Sequence, residues 1–241
     1  MSDAAIIEAR AVTKEFRRRD RVLTQVLRGV DLAVPAGQIV GIHGAVASGK
    51  TTLLRLFAAL ERPTSGDILY AGRPLWSHTW RGWRPSTPRR GFALPVFKNA
   101  VASLDPSWPL WRTVTEAACL AGVVRTRALA ERQRLATDLL ARVGLSRERI
   151  NDAPKHLSAS QCQQVAILRL IAARPAAALL DEPTSTIERT SVTAVLWMLR
   201  GLAEGGAAVV VFSEDMAMLA GLTPRLFELR DGVLAAVERE S

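Results

Sequence analysis

The chain has 241 residues, of which 49% are hydrophobic, and its formal net charge is +9. This composition can form a sizeable core, but it contains no apolar run of about 20 residues, no secretory leader pattern and no disulfide framework, so we expect neither a membrane span nor a signal peptide. Most of the positive charge is arginine dispersed along the chain, which either reflects coding bias alone or favours attraction to anionic lipid headgroups.

The first half of the chain alternates short β-type runs with turn signals. Period-2 patterns and buried apolar runs predict strands over 6–12, 30–34, 39–42 and 68–70. A helical apolar pattern covers 50–60 and is ended by Pro63. The segment 74–90 is rich in Trp, Arg, Pro and Ser; we interpret it as a surface connection rather than a nucleic-acid site, because its prolines interrupt the aromatic spacing.

The second half predicts longer helices separated by buried strands. Helical patterns cover 111–143, 161–173 and 191–203. Hydrophobic strands are expected at 176–180 and 209–212, the latter followed by a polar turn, and a terminal hairpin at 226–237. Strands that alternate with helices indicate an α/β sheet. We expect one domain over 1–241, with an inserted helical subdomain at about 105–172.

A phosphate-binding loop follows the predicted strand 39–42. Its sequence, G-A-V-A-S-G-K-T, consists of Gly44, Ala45, Val46, Ala47, Ser48, Gly49, Lys50 and Thr51. A strand precedes this loop and a helix follows it, as in G-x-x-x-x-G-K-[ST] loops that bind nucleoside triphosphates. The backbone N–H groups would bind phosphate oxygens, Lys50 would reach the outer phosphates and the Thr51 hydroxyl would bind Mg²⁺. Thr52 is expected to add a further nucleotide contact.

Two carboxylates end the buried strand 176–180. Asp181 is suited to the environment of Mg²⁺, and Glu182 can act as the general base that polarises an attacking water. A strand that ends in acids is common in α/β folds, so the prediction depends on the phosphate loop being close by.

The chain resembles the ATP-binding cassette (ABC) ATPases. The resemblance rests on three segments: L-S-A-S-Q at 157–161, L-D-E-P-T-S at 180–185, and V-F-K-N-A-V-A-S-L-D-P at 96–106. The third segment is similar to cassettes of oligopeptide, dipeptide and nickel importers. The resemblance implies a P-loop NTPase core of mixed sheet and helices, with an N-terminal antiparallel β subdomain and the helical insertion.

The resemblance also assigns roles and partners. Phe16 would stack on the adenine of ATP, and the signature residues would contact ATP held by a second cassette, in a homo- or heterodimer: Ser158, Ala159, Ser160 and Gln161. Two integral-membrane permease subunits would dock near the segment after position 98, with an extracytoplasmic binding protein acting indirectly. The expected location is the cytoplasmic face of a prokaryotic inner membrane, with ATP and Mg²⁺ as cofactors and no specific nucleic acid as partner.

The chain departs from the family pattern at several positions. Lys98 replaces the glutamine that normally reaches Mg²⁺, and Glu214 replaces the histidine that contacts the γ-phosphate. Ala159 and Ser160 replace two signature glycines, and Glu188 conservatively replaces an aspartate. An added carboxylate near the phosphates opposes binding by about 4 kcal/mol at 4 Å and an effective dielectric of 20. We hypothesise that Lys98 and Glu214 form an ion pair; independent decay of an unneeded site is the alternative.

These observations predict an energising subunit of an ABC importer, for a peptide or a nickel-type chelate, that binds Mg-ATP tightly and hydrolyses it slowly. Lys98 and Glu214 are expected to contribute to its catalytic site together with Lys50 and Glu182. Two alternatives stay open: a regulatory cassette that closes on ATP without productive hydrolysis, and a cassette of an enzyme complex that is unrelated to transport.

Overall fold

The computed structural model describes residues 5–17, 23–80, 82–86 and 91–237. Within these ranges the strands are β1 (Ala5–Arg17), β2 (Leu23–Pro35), β3 (Ile39–His43), β4 (Ser65–Tyr70), β5 (Arg73–Pro74), β6 (Trp76–Thr79), β7 (Gly82–Pro85), β8 (Ala93–Val96), β9 (Ala177–Asp181), β10 (Ala208–Ser213), β11 (Leu226–Arg230) and β12 (Val233–Ala236). The α-helices are α1 (Lys50–Phe57), α2 (Leu110–Leu120), α3 (Leu129–Arg142), α4 (Ala159–Ala173), α5 (Arg189–Glu204) and α6 (Met216–Leu222). None of these helices is both long and apolar enough to cross a membrane.

The central sheet carries the strands that end at the predicted site. Its order is β12-β11-β3-β10-β9-β8, and all neighbouring pairs are parallel except β11 with β12. Because parallel strands present their carboxyl ends at one edge, the residues that follow β3, β9 and β10 come together there. A second sheet, β2-β1-β4-β5, is antiparallel and is formed largely by the N-terminal part of the chain.

The central sheet is buried on both faces, and β9 shows how its side chains alternate. Ala178 and Leu180 pack into a core formed with α2 to α6, whereas Ala177 and Leu179 pack into a core shared with α1 and the antiparallel sheet. Continuous apolar strands such as A-A-L-L are typical of parallel sheets covered on both faces. The predicted α/β architecture, with its antiparallel N-terminal sheet and its helical insertion, is confirmed.

Helices α2, α3 and α4 pack against one another, and a buried polar contact joins α3 to α2. The Arg132 guanidinium donates to the Thr115 hydroxyl at 2.9 Å, so the buried charge retains a hydrogen-bond partner. Both cysteines are free thiols, and burial raises the pKa of Cys162. These two free thiols agree with a sequence that contains no disulfide framework.

Several elements differ from the sequence-based expectations, and the helical stretch predicted at 111–143 is divided into α2 and α3. Strand β8 was not predicted because it contains Pro95; the structure places it at the sheet edge, where a missing N–H group is tolerated. The short polar connection expected after β10 is present at Glu214 and Asp215, but the sequence does not predict helix α6 directly behind it, which Asp215 caps by accepting a hydrogen bond from the Met218 N–H at 2.8 Å. The connection expected at 74–90 forms the β6–β7 hairpin, although residues 81 and 87–90 lie outside the described residues, as do 18–19 of the N-terminal arginine run.

Candidate functional site

The loop between β3 and α1 has the backbone conformation of an anion cradle. Gly49 has φ 111° and Ala47 has φ 64°, both in the left-handed region that glycine tolerates best. Gly49 is the N-cap of α1, and no side chain caps the first turn, so its N–H groups are directed towards the loop. This combination of an uncapped helix N-terminus and a left-handed loop is suited to binding phosphate.

Gly44 is fixed by close packing rather than by its dihedral angles. A Cβ atom at this position would lie 2.5 Å from the Ser48 hydroxyl oxygen and 2.7 Å from the carbonyl oxygen of Leu229. The Leu229 oxygen belongs to strand β11, so the backbone would have to shift to admit a methyl group.

We therefore expect Gly44→Ala to destabilise the fold by about 1–3 kcal/mol, as small-to-large changes at packed positions do. Chemical denaturation of the purified protein measures this change. Gly221→Ala, on helix α6, is the matched control because a Cβ there meets nothing within 4 Å. Equal stabilities for the two variants would contradict the packing assigned to Gly44.

Lys50 is the centre of the charge network at the site. Its side chain is 7% exposed, and its ammonium donates to the carbonyl oxygens of Gly44 at 2.6 Å and Ala45 at 2.9 Å. The same ammonium lies 3.7 Å from Glu214 Oε1 and 3.9 Å from Glu182 Oε1. Two carboxylates therefore lie within 4 Å of the cation that the motif assigns to the outer phosphates.

Thr51 and Asp181 form the pair expected to hold magnesium. The Thr51 hydroxyl donates to Asp181 Oδ2 at 2.7 Å, across the junction of α1 and β9. A hydroxyl and a carboxylate oxygen side by side fit Mg²⁺, which takes few protein ligands and completes its shell with water and phosphate oxygens. The described residues contain no cluster of three or more His, Cys, Asp or Glu that could hold a metal ion.

Glu182 is held in one orientation by the end of β10. Its carboxylate accepts hydrogen bonds from the Ser213 hydroxyl at 2.9 Å and the Glu214 N–H at 2.8 Å. Its backbone has φ 48°, and its N–H donates to the Phe212 carbonyl at 2.9 Å. A non-glycine residue in this conformation stores strain of the kind often found at functional sites. A carboxylate fixed in this way can orient and polarise a water molecule.

The predicted ion pair between Lys98 and Glu214 is wrong. Among the ion pairs of the described residues none joins these two side chains, and Glu214 pairs with Lys50 instead. Sheet order explains the choice of partner: Glu214 follows β10, which neighbours β3 and its loop, whereas Lys98 follows β8, beyond β9. Both side chains nevertheless line the same cleft of 420 Å³.

That cleft brings together most of the predicted site residues. The predicted residues that line it come from the phosphate loop, from the two acids that end β9, and from the two positions that depart from the family pattern. They are Val46, Ala47, Gly49, Lys50, Thr51, Thr52, Lys98, Asp181, Glu182 and Glu214. Sequence reasoning missed Val26 of β2, which also lines the cleft, and Ser213, which hydrogen-bonds Glu182. The sequence indicates Ser213 only by its position, because it directly follows the predicted strand 209–212 and directly precedes Glu214.

Other predicted residues lie outside the cleft lining. Gly44, Ala45 and Ser48 border a second hollow, beside Thr24 and Arg28. Phe16, on β1, is 38% exposed, and the Lys14 ammonium lies 4.8 Å from its ring centroid. Its stacking on a base therefore stays a prediction.

The signature segment caps helix α4 and does not line the cleft. Ser158 and Gln161 form a reciprocal capping box: the Gln161 N–H donates to the Ser158 hydroxyl at 3.2 Å, and the Ser158 N–H donates to Gln161 Oε1 at 3.1 Å. Ser158 and Ala159 are exposed, and the Ser160 hydroxyl accepts from the Glu188 N–H at 3.4 Å. Ser160, which replaces a signature glycine, therefore links the signature segment 157–161 to Glu188, which follows the two carboxylates at 181 and 182.

Comparisons with known proteins point to one family. A family model described as "ABC transporter" matches residues 27–185. The chain is 35% identical to the macrolide export ATP-binding/permease protein MacB of Nitrobacter winogradskyi over 96% of its length, and 34% identical to the methionine import ATP-binding protein MetN of Nocardia farcinica, also over 96%. It spans 34% of the length of the first relative and 66% of the second.

A solved structure agrees in fold with the chain over almost its whole length. It is the dimeric, post-hydrolysis state of the ATP-binding cassette MJ0796 bound to ADP and Pi. The TM-score is 0.81 at 25% identity, over 97% of this chain and 100% of the other.

Proposed function

The chain belongs to the ABC transporter family, and from this premise we propose that it is the ATP-binding subunit of an ABC-type importer for a peptide or a nickel-type chelate. It is an ABC-type ATPase whose cofactors are ATP and Mg²⁺. The observation that carries the proposal is the convergence of Lys50, the Thr51–Asp181 pair and the anchored Glu182 around one cleft. These groups supply the phosphate cation, the metal site and the base of a phosphoryl-transfer centre.

The importer class rests on the segment 96–106. This segment is similar to the corresponding segment of peptide and nickel importers, and its residue Lys98 lines the cleft. The names of the relatives include both export and import, so they favour a transport role without favouring a direction. Co-purification with two polytopic membrane proteins would support transport, and co-purification with soluble enzymes would support the non-transport alternative.

A second cassette is the partner that the exposed signature requires. Ser158 and Ala159 are exposed and lie outside the cleft of their own chain, and the structurally similar MJ0796 cassette is dimeric. We propose that each nucleotide is held between the phosphate loop of one cassette and the signature of the other. Ala159 and Ser160 add side chains where the backbone would approach the phosphates, which weakens that half of the site.

Slow hydrolysis is the second part of the proposal. Glu214 places a carboxylate 3.7 Å from the Lys50 ammonium, where it competes with the outer phosphates for the same cation. Lys98 adds a cation near the magnesium pair, in place of a neutral amide. Neither change removes the base or the metal site, so we propose that a reduced turnover persists.

Glu182→Gln tests whether that turnover is real. The variant is expected to lose the residual ATPase activity by about 100-fold or more, because a general base typically contributes this much, while Mg-ATP binding is retained. Phosphate release measures the activity, and equilibrium dialysis measures the binding.

Glu204→Gln, an exposed acid at the end of α5, is the matched control and should leave the activity unchanged. If Glu182→Gln and the wild type release phosphate at the same rate, the chain is a regulatory cassette that binds ATP without turning it over.

A further inference from the structure

A long stretch of the chain carries positive charge and no carboxylate. From Ile68 to Leu104 the sequence contains no Asp or Glu, whereas it contains six cations: Arg73, Arg81, Arg84, Arg89, Arg90 and Lys98. Three of the six tryptophans of the chain, Trp76, Trp80 and Trp83, lie in the same stretch. None of these three tryptophans is among the residues that line the nucleotide cleft, so nucleotide binding does not explain them.

The β6–β7 hairpin that carries these tryptophans is firmly attached to the antiparallel sheet. Leu75 is fully buried, and its N–H donates to the Ile68 carbonyl at 2.7 Å. On the other side, the Ser86 N–H donates to the Leu75 carbonyl at 2.5 Å. Trp76 packs against the core between the two sheets. These contacts attach the base of the hairpin to the antiparallel sheet.

The far end of the hairpin combines exposed indole rings with guanidinium groups. Trp80, directly after the last paired residue of β6, is 86% exposed, and Trp83 is 50% exposed. The Arg62 guanidinium lies 4.5 Å from the Trp83 ring centroid, and Arg84 and Arg73 are exposed on the neighbouring strands. Two exposed indole rings grouped with guanidinium groups, unlike a single exposed ring, indicate a surface that can bind another molecule or phase.

We propose that this hairpin enters the headgroup layer of a membrane that contains anionic lipid. Indole rings are enriched at membrane–water interfaces, because one part of the ring is apolar and the N–H remains near water. Arginine binds phosphate groups through a bidentate fork, and the segment 68–104 contributes no carboxylate of its own that would repel them. The hairpin would thus hold the cassette against the bilayer by contacts of its own, independently of nucleotide.

Single-stranded nucleic acid fits this surface less well. Sequence-tolerant binding uses a groove of successive aromatic rings on which bases stack. Here Arg62 covers one face of Trp83, and Trp76 is packed against the core, so consecutive stacking positions are not offered.

Vesicle flotation of the purified chain tests the proposal. The wild type should bind phosphatidylcholine vesicles that contain about one-third phosphatidylglycerol, and it should not bind pure phosphatidylcholine vesicles. Trp80→Ala should weaken this binding by about tenfold, and Arg84→Gln by about fivefold. Because Trp80 is so exposed, its loss leaves the core intact, and unchanged Mg-ATP binding confirms that the variant is folded.

Two matched controls lie far from the hairpin in sequence. Trp197 on α5 is 64% exposed and has Arg200 5.6 Å from its ring centroid, and the Arg230 side chain is 81% exposed. Trp197→Ala and Arg230→Gln should leave vesicle binding unchanged. Equal losses in the hairpin and control variants would overturn the proposal, as would a wild type that does not bind the anionic vesicles.

A second readout reports insertion directly. Brominated acyl chains quench indole fluorescence only when the ring enters the bilayer, so the wild type should be quenched and Trp80→Phe should lose much of that quenching. Binding to single-stranded DNA that depends on Trp80, together with no quenching by brominated lipid, would assign the hairpin to nucleic acid instead. Neither measurement requires ATP, so its outcome is separate from the ATPase tests.

Discussion

Replacement of Lys50 by alanine is expected to weaken Mg-ATP binding by about 100-fold or more. We propose that Lys50 is the cation that reaches the outer phosphates, and a charge-assisted hydrogen bond of this kind is worth about 1.5–3 kcal/mol. The change also leaves Glu182 and Glu214 without the ammonium that lies within 4 Å of both, so two carboxylates would face the phosphates. Isothermal titration with ATP in the presence of Mg²⁺ measures the loss.

Lys155→Ala is the matched control, because Lys155 is exposed and belongs to the turn before the signature. It should bind Mg-ATP as the wild type does. A Lys50→Ala variant that remains folded and binds ATP with unchanged affinity would show that the phosphate loop is not the nucleotide site.

Glu214→Gln is expected to have the opposite effect, raising both ATP affinity and turnover by about tenfold. At 4 Å and an effective dielectric of 20, two unit charges interact by about 4 kcal/mol. The Glu214 side chain is 43% exposed, so solvent screens much of this interaction, and a change of about 1.4 kcal/mol, or tenfold, remains. The amide keeps the size of the side chain, and the backbone N–H of this residue still donates to Glu182.

Titration and steady-state phosphate release measure the two effects of Glu214→Gln. Glu148→Gln, an exposed acid in the turn after α3, should change neither. A Glu214→Gln variant with lower affinity would mean that the carboxylate assists nucleotide binding, for example by orienting Lys50.

The sequence indicates the candidate site most clearly where its chemistry is local. The phosphate loop is contiguous, and A-A-L-L-D-E places both acids at the end of one buried strand, so the strand-loop-helix context and the acids could be recognised without coordinates. Strand order then brings these pieces together, because β3, β9 and β10 lie side by side with parallel ends.

The sequence did not predict which charges pair across the site. Lys98 and Glu214 have opposite signs and belong to motifs that meet at the same nucleotide, which made an ion pair between them plausible. The pairing depends instead on strand order, since β10 is adjacent to β3 and β8 is not. The sequence also fails to predict strand β8, which contains a proline, and helix α6, which is short and preceded by polar residues. Local propensity is a weak guide to such elements because tertiary packing determines their structure.

The left-handed conformation of Glu182 was equally invisible in the sequence. A non-glycine residue gives no local signal for φ 48°, and the strain is stabilised by contacts with Phe212, Ser213 and the backbone N–H of Glu214. The same contacts couple Glu182, the proposed base, to Glu214, because the Glu182 carboxylate accepts hydrogen bonds from Ser213 and from the Glu214 N–H at the end of β10. A change at Glu214 therefore acts next to the base as well as on Lys50.

The central claim is that Glu214 competes with the terminal phosphate of ATP for the Lys50 ammonium. The most direct test is the ratio of the ADP and ATP dissociation constants, measured for the wild type and for Glu214→Gln under identical Mg²⁺ concentrations. We predict that the substitution raises the ratio of the ADP dissociation constant to the ATP dissociation constant by about tenfold and leaves the ADP dissociation constant almost unchanged. The reason is that only ATP places a terminal phosphate beside the removed charge. The same ratio in both proteins would contradict the account.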